Sequence, residues 1–260
     1  MAHVEGNLAG GRLYYQTWQA ADPRVDVVIA HGYAEHSGRY AHVAAALNAA
    51  GCTVWALDHR GHGRSEGERG DIESWEAVVA DLDLLVDLAA ADGRPVFLVG
   101  HSMGGAIAVA YAQAHQDRLT GLSLSAPAIV VAPELLAVLD LEEIPVLPLA
   151  PAVSTDPAVV KAYEDDPLNY HGPPARTTLQ LIAGGDKLVA GLGELTLPVQ
   201  IMQGSGDMLV PAAALRLIVN GVASTDVHAR LWPGLFHEIY NEPIQQQVIG
   251  ELVRWITEHV

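Results

Sequence analysis

The sequence around Ser102 is typical of a serine whose hydroxyl acts as a nucleophile. The segment Gly100-His-Ser-Met-Gly104 follows an apolar run, residues 96–99, and precedes an alanine-rich stretch that suits a buried helix. A G-x-S-x-G segment between a strand and a helix forms a sharp turn that exposes the serine at its apex. A serine hydroxyl is a weak nucleophile unless an adjacent base activates it. The pattern therefore predicts acyl transfer through Ser102, assisted by a base and an acid from elsewhere in the chain.

A histidine is the expected base, and five histidines follow Ser102. His237 lies in a loop directly after the last predicted strand, residues 227–231, which places it at the carboxyl end of the sheet. The other four lie on the elbow helix, at the end of a proline-rich segment, at the start of a strand and next to the last residue: His115, His171, His228 and His259. The position after the strand predicts His237 as the general base.

Two aspartates compete for the acid that would orient this base. Asp207 follows the predicted strand 199–203 through a glycine-rich turn, whereas Asp186 lies in a helical context before that strand. Hydrolases with this elbow place their residues in the chain order serine, acid, histidine. Because the acid must also reach the carboxyl end of the sheet, the sequence predicts Asp207, and a solvated turn carboxylate is the alternative for both residues.

The tetrahedral oxyanion of such a reaction needs backbone donors in a water-poor site. The N–H of Met103 directly follows the nucleophile, and the helix that begins there turns its first N–H groups toward the developing charge. The N–H of Tyr33, after His31-Gly32, is the natural second donor. We therefore predict an oxyanion hole built from Tyr33 and Met103.

Strands and helices alternate along most of the chain. Predicted strands cover residues 4–8, 13–19, 25–30, 53–57, 96–99, 119–125, 199–203 and 227–231, and predicted helices cover 39–50, 75–89, 177–189, 211–219 and 243–259. This order predicts an α/β fold with a mostly parallel central sheet, helices on both faces and a ligand site at the carboxyl ends of the strands. The loops that begin at positions 31, 58 and 100 should converge there.

The alternation fails between residues 126 and 172, a segment that carries seven prolines and many aliphatic residues. A long interruption inside a compact domain is usually functional, such as a lid over an active site. A second small core is the alternative, and the two are compatible. We predict a core of residues 1–125 and 173–260 with an inserted cap at 126–172.

Composition limits the classes of partner. With 31 acidic and 14 basic residues the formal charge is −17, which repels nucleic acid and favours neutral substrates. The single cysteine, Cys52, allows no internal disulfide and is expected to be a small buried hydrophobe. No signal-like start and no apolar run of about 18 residues is present, so a soluble, cytoplasmic protein is expected. His59 and His62 lie in a Gly/Arg loop without cysteine or paired carboxylates, so neither a metal nor another cofactor is expected.

Several blocks together resemble the monoacylglycerol lipases of the α/β-hydrolase fold. They are His31-Gly-Tyr-Ala-Glu-His-Ser-Gly-Arg-Tyr40, Asp58-His-Arg-Gly-His-Gly-Arg-Ser-Glu-Gly67, Gly100-His-Ser-Met-Gly-Gly105, Gln203-Gly-Ser-Gly-Asp207 and His237, and the likeness extends over about residues 3–258. The resemblance implies a serine ester hydrolase whose triad is Ser102, Asp207 and His237. It also implies a cap over an acyl tunnel and transient contact of that cap with lipid interfaces, which would make the protein peripheral there.

Three further residues are candidates for holding a glycerol head group. Glu35 and Arg39 stand four apart beside the oxyanion loop, a spacing that equally suits a structural ion pair. Tyr163 lies where the cap segment ends, and similar proteins keep a tyrosine near the leaving group. The alternatives to a monoacylglycerol lipase are a carboxylesterase, lysophospholipase or aminopeptidase of the same fold, or a ligand-binding receptor with little turnover.

Overall fold

The computed structural model describes residues 2–260, and a single eight-stranded sheet organises them. Its strands are β1 Ala2–Leu8, β2 Leu13–Gln19, β3 Val25–Ala30, β4 Cys52–Leu57, β5 Val96–His101, β6 Gly121–Ser125, β7 Val199–Gly204 and β8 Val227–Trp232. Their order across the sheet is β1-β2-β4-β3-β5-β6-β7-β8. The pairs β1–β2 and β2–β4 are antiparallel, and every pair from β4 to β8 is parallel. The carboxyl ends of the parallel strands consequently share one edge.

Helices follow most of the strands. They are α1 Ala41–Ala49, α2 Trp75–Ala90, α3 Met103–His115, α4 Pro133–Leu136, α5 Ala150–Val153, α6 Pro157–Asp165, α7 Arg176–Ala183, α8 Asp186–Ala190, α9 Ala213–Gly221 and α10 Gln245–Glu258. Short 3₁₀ turns cover Ala9–Gly11, Ser37–Tyr40, Gln116–Arg118, Ala137–Asp140, Leu192–Glu194 and Ile239–Asn241. Within residues 2–260, none of the helices has the length and apolar character needed to cross a bilayer.

The sheet separates two hydrophobic cores, and strand β5 contributes to both. Leu98 belongs to the core under α2, α3 and α9, whereas its neighbours Phe97 and Val99 belong to the core under α1 and α10. Successive side chains of a strand point to opposite faces, so a strand covered on both sides is apolar at consecutive positions. This explains the uninterrupted apolar run before the elbow. Cys52 is buried in the second core.

The predicted α/β architecture is confirmed, with differences at two helices. The helix expected over residues 177–189 is divided into α7 and α8 by a turn at Gly184 and Gly185. A Cβ on Gly185 would lie 2.9 Å from the carbonyl carbon of Ile129, so the chain leaving β6 packs closely against this turn. The helix expected from position 39 begins with the 3₁₀ turn Ser37–Tyr40 and becomes α-helical at Ala41.

The chain between β6 and β7 carries α4 to α8 and lies over the carboxyl edge of the sheet. Its helices α5 and α6 form a small cluster of their own, in which Ala150, Val153 and Tyr163 are buried. This cluster is separate from the two cores of the sheet. The division into a core of residues 1–125 and 173–260 and a cap at 126–172 stays a prediction.

Candidate active site

The turn between β5 and α3 holds Ser102 in a backbone conformation that few residues adopt. Its φ is +53° and its ψ is −120°. Such strain persists only where the surroundings fix it. A Cβ on Gly104 would lie 2.5 Å from the carbonyl carbon of Ala30, and one on Gly100 would lie 2.5 Å from the carbonyl oxygen of Gly104. Both flanking positions therefore require glycine, and Ser102 lines a cavity.

Ser102, His237 and Asp207 form one continuous hydrogen-bonded chain. His237 Nε2 lies 2.8 Å from Ser102 Oγ, and His237 Nδ1 lies 2.8 Å from Asp207 Oδ2. The second oxygen of Asp207 accepts the N–H groups of Leu209 and Val210 at 2.9 and 3.0 Å, which fixes the carboxylate and leaves Oδ2 for the imidazole. Strands β5, β7 and β8 supply the three residues from their carboxyl ends. The structure thus brings together the residues that the sequence predicts as a triad.

Burial and mutual attraction act in opposite directions on the pKa values of His237 and Asp207. Burial lowers the pKa of His237, but the adjacent Asp207 carboxylate outweighs it and raises the pKa above the ordinary 6.5. Burial raises the pKa of Asp207, but the imidazole and the two backbone N–H groups outweigh it and lower the pKa below the ordinary 3.8. Asp207 is therefore charged at neutral pH and stabilises a proton that arrives on His237.

His31 and Glu35 hold the loop after β3 from two sides. Glu35 Oε1 accepts the Gly32 N–H at 2.6 Å. His31 Nε2 accepts the N–H of His59 at 2.9 Å, so its proton resides on Nδ1 and is donated to the carbonyl oxygen of Gly32 at 2.7 Å. Since the C=O and N–H of a trans peptide point in opposite directions, the N–H of Tyr33 faces away from that bond.

The second predicted oxyanion donor belongs to α3. Met103 is the first residue of that helix, and its N–H has no partner inside the helix. The loop carrying Tyr33 stands close to the elbow, because a Cβ on Gly32 would lie 3.3 Å from the Cβ of Ser102. Gly32, Tyr33 and Met103 all line the same cavity as Ser102. Their role as an oxyanion hole stays a prediction.

This cavity is mainly apolar, and it encloses about 760 Å³ of space between atoms, its open mouth included. Most of its apolar lining side chains come from the segment between β6 and β7: Ala128, Val131, Leu135, Leu136, Leu147, Leu149, Val153, Leu179 and Ile182. An acyl chain reaching Ser102 would lie against this segment.

Glu35, Arg39 and Tyr163 meet in one cluster that also contains Glu238. Arg39 Nη1 lies 2.6 Å from Glu35 Oε2, and the guanidinium holds both oxygens of Glu238 at 2.6 and 2.7 Å. It also stands 4.9 Å from the ring centre of Tyr163. Burial raises the pKa of Glu35, but Arg39 and neighbouring donors outweigh it and hold the pKa well below its ordinary value. The structural ion pair allowed by the sequence is therefore present.

The members of this cluster differ in their access to the cavity. Glu35, Tyr163 and Glu238 line it, whereas Arg39 lies behind them. The sequence pattern does not predict a role for Glu238, because its arginine partner lies 199 residues away in the chain. Its position directly after His237 was the only local signal.

His101 is a second residue that the motif alone did not single out. Its ring centre lies 4.7 Å from that of His237, and its Nδ1 lies 3.1 Å from Ser125 Oγ. Burial, together with the proximity of His237, lowers the pKa of His101 to about 4. A neutral imidazole therefore packs beside the proposed base without competing for its proton at neutral pH.

Comparisons with known proteins show the family of this chain. The family model for serine aminopeptidase S33 matches residues 21–244. A monoacylglycerol lipase from Mycolicibacterium smegmatis is 43% identical, with 99% of this chain and 97% of the relative covered. The human monoglyceride lipase is 33% identical, with 97% and 89% covered. The crystal structure of Paleococcus ferrophilus monoacylglycerol lipase matches with a TM-score of 0.84 and 27% identity, covering 95% of this chain and 99% of that one. The chain therefore belongs to the serine aminopeptidase S33 family and, within the α/β-hydrolase superfamily of serine hydrolases, with the monoacylglycerol lipases.

Proposed function

We propose that this protein hydrolyses monoacylglycerols to a fatty acid and glycerol through an acyl-enzyme on Ser102. The observation that carries the proposal is the hydrogen-bonded chain Ser102–His237–Asp207 on the wall of an apolar cavity. The nearly full-length likeness to proteins named monoacylglycerol and monoglyceride lipases supports the choice of substrate.

Acylation begins when Ser102 Oγ attacks the ester carbonyl carbon while His237 Nε2 accepts the hydroxyl proton. The carbonyl oxygen becomes an oxyanion, which the N–H groups of Tyr33 and Met103 stabilise. Asp207 holds the imidazole in the correct tautomer and stabilises its positive charge. When the C–O bond of the ester breaks, the glycerol oxygen takes the proton from His237 Nε2, and glycerol leaves.

Deacylation repeats the same steps with water. His237 Nε2 accepts a proton from a water molecule as its oxygen attacks the acyl carbon on Ser102. The second oxyanion occupies the same pair of N–H groups. Its collapse breaks the bond to Ser102 Oγ, which regains the proton from His237, and the fatty acid is released.

The cluster beside the triad suits an uncharged, hydroxylated leaving group. Glu35, Glu238 and Tyr163 line the cavity, and Arg39 keeps the two carboxylates in place. Two carboxylates against one guanidinium leave a formal charge of −1 at this end of the cavity. We propose that this charge favours glycerol over head groups that carry phosphate.

The cap, assigned to residues 126–172, would seat the acyl chain and contact lipid aggregates. Leu141 and Val146 are 49% and 56% exposed on this segment. Exposed aliphatic side chains of this kind insert into the boundary between head groups and acyl chains without requiring a positive surface. We therefore propose that the chain contacts neutral lipid interfaces through these side chains despite its strongly negative charge.

The proposal is tested by comparing kcat/KM for monooleoylglycerol, lysophosphatidylcholine and p-nitrophenyl butyrate. We expect monooleoylglycerol to be hydrolysed with the highest kcat/KM and the phosphate-bearing lipid to be turned over least. Hydrolysis of the short ester without hydrolysis of monooleoylglycerol would instead identify a carboxylesterase. Preference for lysophosphatidylcholine would identify a lysophospholipase and contradict the charge argument.

A further inference from the structure

Three consecutive backbone N–H groups of the loop that carries His237 are hydrogen-bonded, two of them to the cap and one to Glu242. His237 N–H donates to the carbonyl of Ala152 at 3.4 Å, and Glu238 N–H donates to the carbonyl of Val153 at 2.8 Å. Phe236 N–H donates to Glu242 Oε1 at 2.6 Å. The loop is therefore supported directly by residues 152–153 and by Glu242.

Glu242 also binds the cap. Its carboxylate accepts the Thr155 N–H at 3.1 and 3.2 Å, the Thr155 hydroxyl, and the Ser154 hydroxyl at 3.3 Å. We refer to residues 152–155 as the cap anchor. One carboxylate thus joins the cap anchor to the residue that precedes His237.

The Glu242 side chain is fully buried, and among residues 2–260 no lysine, arginine or histidine lies within ion-pair distance of it. A buried carboxylate without a cation depends on hydrogen bonds for its stabilisation. Here those bonds come from two separate parts of the chain, the His237 loop and the cap anchor. Displacing either one leaves carboxylate oxygens without donors, which resists relative movement of the two.

We infer that Glu242 is a positioning residue for His237, and that the cap anchor is part of the scaffold that aligns this base with Ser102. The inference rests on the proposed function, because it concerns how the triad is held. The Ser102–His237 hydrogen bond is 2.8 Å long, so a shift of the loop by a fraction of an ångström lengthens it appreciably.

Two substitutions weaken the hydrogen bonds between Glu242 and the cap anchor, one at each partner. Glu242→Gln keeps the size of the side chain but turns one oxygen into an NH₂ group that faces backbone and hydroxyl donors. Thr155→Val removes only the hydroxyl donor. Because Thr155 is exposed, this variant is expected to fold even if Glu242→Gln does not.

Thr196 provides a matched control. It is also exposed, and both its N–H and its hydroxyl donate to one side-chain oxygen, that of Gln116, at 2.9 and 3.1 Å. It lies just before β7, at the amino edge of the sheet and opposite the triad. Thr196→Val therefore removes the same kind of bond at a distance from His237.

The assay measures kcat and KM for p-nitrophenyl butyrate, with kcat expressed per Ser102 titrated by a fluorophosphonate. We expect Glu242→Gln to lower kcat about 10- to 100-fold with KM changed less than about threefold, since misplacing a catalytic group by about 1 Å costs on this scale. Thr155→Val should lower kcat by a smaller factor, about three- to tenfold. The double variant should be no slower than Glu242→Gln alone, because both changes remove one connection.

Wild-type kcat per titrated serine in Thr155→Val would overturn the inference, as would an equal loss in Thr196→Val. A lowered Tm or a smaller titratable fraction with unchanged kcat per site would show that Glu242 only stabilises the fold, which also overturns it. Absence of hydrolysis by the wild-type protein would instead contradict the proposed function.

Discussion

Gly104 lies in the first turn of α3 and packs against the backbone of Ala30 and His31. Gly104→Ala should therefore push apart α3 and the loop after β3, which carry the two donors of the predicted oxyanion hole. The added Cβ would lie 2.5 Å from the carbonyl carbon of Ala30 and closer still to the carbonyl oxygens of Ala30 and His31. Carbon atoms in contact are about 3.5–4.0 Å apart. Since all of these are backbone atoms, the clash is relieved only if α3 and the loop after β3 separate by roughly 1 Å.

That separation acts directly on the chemistry. The loop carries the N–H of Tyr33, and α3 begins with the N–H of Met103, so both donors cannot remain aimed at one oxyanion. A displacement of about 1 Å costs about 100-fold in rate. Overpacking should also lower stability by about 1–3 kcal/mol. We expect kcat for p-nitrophenyl butyrate to fall about 100-fold and Tm to fall as well.

Gly250→Ala is the matched control, because the Cβ it would add on α10 has no atom within 4 Å apart from its chain neighbours and the backbone of its own helix. Alanine has the higher helix propensity by about 1 kcal/mol, so this variant should keep its kcat and gain slightly in Tm. If Gly104→Ala retained kcat within about threefold of the wild type, with Tm unchanged, the proposed close pairing of loop and elbow would be refuted.

Three further predictions follow from the site. In the wild type, kcat/KM should fall as the pH drops through a pKa above 6.5, because His237 must be neutral to accept a proton. Asp207→Asn removes the charge that raises this pKa, so the fall in a pH–rate profile should move to lower pH. The same variant should reduce kcat about 10⁴-fold. Leu147→Trp fills the acyl wall and should lower kcat/KM for monooleoylglycerol at least about tenfold while p-nitrophenyl butyrate changes less than about threefold. Arg39→Met leaves two buried carboxylates without their cation, and urea unfolding should show a loss of about 3–5 kcal/mol; a loss below about 1 kcal/mol would contradict the described ion-pair cluster.

The parts of the site that lie at strand ends could be predicted from the sequence. The elbow around Ser102 has a local pattern, and Asp207 and His237 each follow an apolar run short enough to be a strand. A parallel sheet brings such positions to one edge, whatever their separation in the chain. This is why the sequence predicts three residues spread over 135 positions as one site, and why the structure brings them into contact.

Contacts that depend on tertiary packing could not be predicted in the same way, because no local sequence pattern marks the two partners. Glu238 meets Arg39 across 199 residues, and Glu242 meets Thr155 across 87. Neither pair shows a spacing that a helix or strand would enforce. The break between α7 and α8 differs, because the consecutive glycines Gly184 and Gly185 are a local signal against a continuous helix. The tertiary part, the close approach of Ile129 to Gly185, has no such signal.

The most direct test of the central claim is the release of glycerol from monooleoylglycerol by the wild-type protein and by Ser102→Ala, with fluorophosphonate labelling mapped to its peptide. We predict rapid glycerol release by the wild type, stoichiometric labelling at Ser102, and a loss of about 10⁴-fold or more in kcat for Ser102→Ala. Hydrolysis by Ser102→Ala at a rate near that of the wild type, or labelling at another residue, would contradict the account.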